Sequence, residues 1–181
     1  DNFARLPELT YVWPVVEEFH PDSYALEVLA SYLTQGKKAP FYRVLVENRK
    51  VSAAVNSYNY TSELAGQLFL SVRAFTGKDL DEVAEAITEA FALFEKEGIS
   101  DQDLSRIKAG QERYFYNSLS SVLGKGATLA QYSIFAGDPG YVEKDIQQIL
   151  AVTRADVLRV YEKYIKNKPY VATSFVPKGE V

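Results

Sequence analysis

Alternation of period two opens the chain: Leu9, Tyr11, Trp13 and Val15 share one side of a run rich in β-formers, which predicts a strand over residues 8–16. Pro14 within it predicts an edge position or a strand end. From Asp22 the period lengthens. Tyr24 or Ala25, Val28 or Leu29, Tyr32 and Leu33 recur at helical spacing, with Asp22 placed to cap an amphipathic helix and Gly36 placed to stop it. A short helix over 41–48 leads into a strand over 51–60. Gly66 then precedes a second alternating run, Leu68, Leu70, Val72 and Ala74, so the two runs predict a hairpin joined by residues 61–65.

The second half is helical. Leu80, Val83, Ala84, Ile87, Phe91 and Phe94 define one face of a helix over 79–97, with Asp79 and Glu82 in capping-box spacing and Gly98 closing it. Ser100 and Asp103 repeat that spacing ahead of a helix running to about Leu123, where Gly124 and Gly126 are expected to interrupt it before helix resumes over 127–135. Gly137, Asp138, Pro139 and Gly140 form a turn cluster. Helices over 141–150 and 153–165 follow, the last capped by Thr153, and residues 170–176 read as a closing strand. This order is neither a regular βαβ alternation nor all-helical. It predicts one α+β domain over residues 1–181, with helices layered on a mainly antiparallel sheet of about four strands.

Composition narrows the function. At 181 residues, 47% hydrophobic and 24% charged, the chain can build a substantial core. Its formal charge of −4 is dispersed, so no basic footprint for nucleic acid is present, and no apolar run approaches the roughly 20 residues that a membrane helix needs. The expected partners therefore include neither nucleic acid nor membrane. Cysteine is absent, which removes disulfides and thiolate chemistry and leaves the compartment undetermined. Methionine is absent even at position 1, and the chain reads as a piece of a longer polypeptide, with the polar tail Lys178 to Glu180 as a linker remnant.

Candidate chemistry is sparse. Catalytic zinc needs three histidine, cysteine or carboxylate ligands and an open position, and the chain has one histidine, His20. Glu17, Glu18, His20 and Asp22 form the one weak metal candidate, although a solvated loop before a helix cap accounts for the same residues. A serine triad would have to use His20, and no Gly-x-Ser-x-Gly turn occurs. Gly36, Lys37 and Lys38 lack the remaining signature of a phosphate loop and fit a helix stop. Thirteen tyrosines and ten phenylalanines are many, and Arg113 to Leu119 (RYFYNSL) places three aromatics in a row on a helix, where they cannot all face one core. Catalytic, cofactor-binding and metal residues are all expected to be none.

The stretches PELTYVWPVV and HPDSYALEVLASYLTQGKKAPFYRVLVENRKVSAAV, then GQLFLSV, GISDQDLSRIK, GDPGY and LAVTRADVLRVYEKYI, together resemble in order a non-catalytic half-domain of the pitrilysin or insulinase-type zinc metallopeptidases. The resemblance covers nearly the whole chain and implies a half-domain fold like that of the pitrilysins and mitochondrial processing peptidases. It implies pairing with a homologous catalytic domain, in the same chain or a partner subunit, around a chamber for a peptide or unfolded protein. Zinc is then expected in that catalytic domain. In many members the partner half supplies an arginine and, seven residues later, a tyrosine that assist at the oxyanion. Here those positions hold Val46 and Ala53, which carry neither charge nor donor, while Arg49 has Asn56 seven positions on. The expected role is an inactive wall of a peptidase chamber, in a parent that is a zinc metalloendopeptidase. The alternative is a structural or assembly subunit whose parent has lost catalysis, as in the core subunits of the respiratory bc complex.

Overall fold

The computed structural model describes residues 5–178, so positions 179 and 180 of the polar tail lie outside the described residues. Four strands, β1 (Glu8–Val15), β2 (Ser52–Thr61), β3 (Gly66–Ala74) and β4 (Val171–Phe175), form one antiparallel sheet in the order β2-β3-β1-β4. Six α-helices accompany it: α1 (Pro21–Thr34), α2 (Leu80–Glu97), α3 (Asp101–Ser118), α4 (Val122–Gln131), α5 (Val142–Ala151) and α6 (Arg154–Tyr164). Two π-helical segments, Tyr42–Asn48 and Tyr132–Ala136, lie where plain helix is expected from the sequence. The α+β class with a four-stranded antiparallel sheet is as the periodicities predict.

Alternation sorts the sheet into two faces. Leu9, Trp13 and Val15 of β1 and Leu68, Leu70, Val72 and Ala74 of β3 are buried on the inner face against the helices. On the outer face the register lines up Tyr58, Phe69, Val12 and Val171 across all four strands. That row is exposed or half-buried, and the Tyr58 and Phe69 rings stack with centroids 4.8 Å apart. Pro14 is not on an edge strand, because β1 lies between β3 and β4. It does lie beyond the β4 pairing, which ends at Val12, so the strand-end reading of Pro14 holds.

Four local expectations are corrected. The helix α1 is buried around most of its circumference, from Ala25 and Leu26 to Leu33, rather than on one amphipathic face. Its cap is His20, whose Nδ1 accepts the Asp22 backbone N–H at 3.0 Å, and not Asp22. The interruption expected at Gly124 and Gly126 falls earlier, over residues 119–121, and both glycines lie inside α4. Ser121 caps that new helix by accepting the Gly124 N–H, and Gly124 passes so close to the Ser118 carbonyl that a Cβ would collide with it. Glycine serves there to bring two helix ends together. Finally, Asp79 caps α2 as expected, but Glu82 turns to Lys78 instead of completing a capping box.

Candidate functional site

The metal candidates near the start of α1 are drawn apart. His20 is used as the helix cap, Glu18 accepts from the Gln131 side chain at 2.5 Å, and Asp22 points to α6. There Asp22 receives Arg159 at 2.7 Å, Lys163 at 2.8 Å and the Tyr164 hydroxyl at 2.7 Å. Burial would raise the Asp22 pKa, but the hydrogen bonds from Lys163, Tyr164 and Arg159 outweigh it and hold the carboxyl well below its ordinary range. This cluster staples α6 to the start of α1. Among the described residues no group of three histidine, cysteine, aspartate or glutamate side chains is placed to hold a metal ion.

The segment that would carry an arginine and tyrosine pair is structural in its contacts. Val46 is half-buried in the first π-helical segment and Ala53 is exposed beside a β-bulge between Ser52 and Ala54. Arg49 is held by Glu89 at 2.9 Å and Glu85 at 3.6 Å, both on α2, and Asn56 lies on the exposed outer face of β2. Of the aromatic run, Phe115 is buried, whereas Tyr114 and Tyr116 are 78% and 56% exposed. One ring packs and two face outward.

A cleft of about 1050 Å³ lies between α1, the end of β2, α3 and α5. Ser23, Glu27, Ser31 and Gln35 line it, a polar row at four-residue spacing on an otherwise apolar helix. At one end Asp145 accepts the hydroxyls of Tyr24 and Tyr132, each at 2.7 Å. Burial, then the hydrogen bond to Asp145, raises the pKa of both tyrosines, so they stay protonated donors. Deeper in, the Asn59 side-chain amide donates to the Ser23 carbonyl at 3.3 Å, while its Oδ1 is buried without a donor. Glu27 sits against the Asn59 backbone N–H. Burial raises the Glu27 pKa, and that single N–H offsets the effect in part. On the facing wall stand Arg106 and Arg113. The polar row of α1 was the available sequence signal for this cleft, and it was missed in favour of the apolar period around it.

Comparison with known proteins decides the family. The model described as "Peptidase M16 inactive domain" matches residues 3–111. The chain belongs to the M16 peptidase family, as an inactive domain. The resemblance to pitrilysin-type non-catalytic half-domains therefore holds. Among solved structures, a protease from Helicobacter pylori matches with a TM-score of 0.82 at 22% identity over 98% of this chain and 43% of its own. A peptidase M16 inactive domain from Pseudomonas fluorescens matches with a TM-score of 0.77 at 16% identity, over 97% of this chain and 41% of its own. Complex III2 from Candida albicans contains a chain that matches with a TM-score of 0.79 at 13% identity, over 96% of this chain and 43% of its own. These likenesses speak for the fold. The M16 domain thus spans well under half the length of these structural relatives. No curated protein matches it significantly. Among the described residues no helix is long and apolar enough to cross a membrane.

Proposed function

We propose that this M16 domain is the non-catalytic half of a zinc metalloendopeptidase, forming wall and inter-domain interface of a chamber whose zinc is held by a homologous catalytic domain in the same chain or a partner subunit. The observation that carries the reading is the outer sheet face. Its apolar row of Tyr58, Phe69, Val12 and Val171 runs across the full width of the sheet and is left exposed or half-buried, as a surface that receives a partner or an unfolded peptide requires. Val46 and Ala53 support a wall and not a participant, since neither can donate to a developing oxyanion. The domain, read this way, extends over the whole of residues 1–181 within a longer parent.

The test is reconstitution. The M16 domain alone is expected to bind no zinc by metal analysis and to cleave no unfolded peptide, and its addition to the homologous catalytic domain is expected to raise peptide cleavage. Tight stoichiometric zinc with cleavage by the domain alone overturns the reading. The likeness to a chain of Complex III2 favours a second reading, a structural or assembly subunit. A His-x-x-Glu-His motif in the parent or an adjacent partner gene supports the peptidase, and its absence from both supports the structural role.

A further inference from the structure

The two edges of the sheet are finished differently. In an antiparallel pair each residue turns its N–H and C=O to one neighbour, and the direction alternates along the strand. The Ala74 N–H donates to the Pro7 carbonyl, so alternation directs Leu9 and Tyr11 to β3, and Glu8, Thr10 and Val12 to β4. Their β4 partners Phe175, Thr173 and Val171 are thereby used, and the main-chain groups of Ala172 and Ser174 point away from the sheet. The same alternation turns Val55, Ser57, Asn59 and Thr61 of β2 outward. There Glu27 of α1 meets the Asn59 N–H, the Asn59 amide donates to the Ser23 carbonyl, and a bulge between Ser52 and Ala54 distorts the strand. Nothing comparable closes β4. All five of its residues are exposed, and VATSF contains no charge, proline or bulge of the kind that blunts an edge.

We propose that the open edge of β4 accepts an extended peptide as a fifth strand, one with an uncharged β-forming centre and an acidic residue at each end. Ala172 and Ser174 offer their N–H and C=O groups to such a strand. Its side chains would alternate between the outer apolar row, which ends at Val171, and the inner side, where Tyr170 packs on Tyr11 and Trp13. Charge sets the ends. Lys168 and Lys178 stand three residues beyond either end of β4, exposed and in no ion pair among the described residues, whereas Lys163 and Lys166 are taken by Asp22 and Glu95. Glu8, the partner of Phe175, is held by Arg73, and Asp81 of α2 acts on Tyr11, the partner of Ala172, so an acid is favoured at the ends and not at the middle. The same lysines disfavour a second copy as occupant. The two-fold antiparallel register that pairs all of β4 with itself sets Lys168 against Lys178 of the other copy. The choice of a peptide rests on the peptide-handling function proposed above.

The experiment uses the 181-residue chain and a dye-labelled peptide, blocked at both ends, of alternating threonine and valine between two glutamates. Saturable binding by fluorescence anisotropy is expected. N-methylation of the central amides, which keeps every side chain and charge, is expected to weaken it by about tenfold or more. Exchanging both glutamates for lysines is expected to weaken it by about threefold or more, and the double variant Lys168→Glu, Lys178→Glu is expected to reverse that preference. Ser174→Pro removes an N–H that no strand of the domain uses, so the unfolding midpoint is expected to hold while binding falls by about tenfold. Absence of saturable binding, equal binding of the N-methylated peptide, or equal or tighter binding of the lysine-ended peptide overturns the proposal. So does self-association of the chain that Ser174→Pro abolishes, which would give the edge to a second copy. The N-methylation arm needs no variant, so a folding defect in Ser174→Pro cannot mask the result. The assay also needs no catalytic partner, so its failure is separate from failure of the reconstitution test.

Discussion

One helix has two very different neighbours. Toward the sheet, α2 and α6, α1 buries Leu26, Val28, Leu29 and Leu33 in a continuous apolar core and ties Asp22 to three donors on α6. Toward α3 and α5 the same helix presents a polar row to a cleft. Beyond that cleft, α4 and α5 bury none of their own residues, and Val122 and Leu123 are 90% and 84% exposed. The difference separates a scaffold from a surface. The first region gains its stability from packing and a satisfied charge, whereas the second retains polar groups and apolar side chains that the isolated chain does not cover.

Substitutions graded from one region to the other put this contrast at risk. Leu29→Ala empties part of the fully buried layer and is expected to cost about 3 kcal/mol in chemical unfolding. A cost near zero would remove the claim that α1 is the centre of the core. Asp22→Asn is expected to cost about 2 kcal/mol at neutral pH, less than a fully buried pair, because Arg159 and Lys163 are half exposed and rehydrate. Its sign with pH follows from a folded pKa held below the unfolded one. The stabilisation is fully present above the unfolded value of about 4 and is lost as pH falls below it, so wild type and variant should converge in acid.

Glu27→Gln should act in the opposite sense. Because burial raises the folded pKa of Glu27, its contribution is most favourable below the unfolded pKa and declines as pH rises through the folded value. The glutamine variant is therefore expected to unfold later at neutral pH by roughly 0.5–1 kcal/mol, with the gain vanishing in acid. A loss of stability at pH 7 would mean that Glu27 is better served in the fold than its surroundings indicate. Smallest of all, Leu123→Ser on α4 should change the stability of the isolated domain by less than about 0.5 kcal/mol. The same variant serves to test whether that face is buried on reconstitution with a catalytic domain.

Much of this architecture was legible because the signals are local. Alternation in Leu9 to Val15 and Leu68 to Ala74 depends on the pleat alone, and the period of α2, with Asp79 before it and Gly98 after it, depends on the helix alone. The cap of α1 and the break ahead of α4 were misread for a different reason. A capping aspartate and a buried salt-bridged aspartate look identical in sequence, and the donors that claim Asp22 lie 137 to 142 residues away on α6. Likewise Gly124 reads as a helix breaker until the Ser118 carbonyl is seen beside it.

By itself the sequence determined the α+β class, the element order and the lack of a histidine pair for zinc, because residue type and short-range periodicity suffice for each. Family membership was legible there too, carried by segments kept in order along the chain. Tertiary structure alone decided which carboxylate is stapled and which faces a cleft. Asp22 and Glu27 share one helix and one charge, and what separates them is the desolvation and partners supplied by β2, α3 and α6.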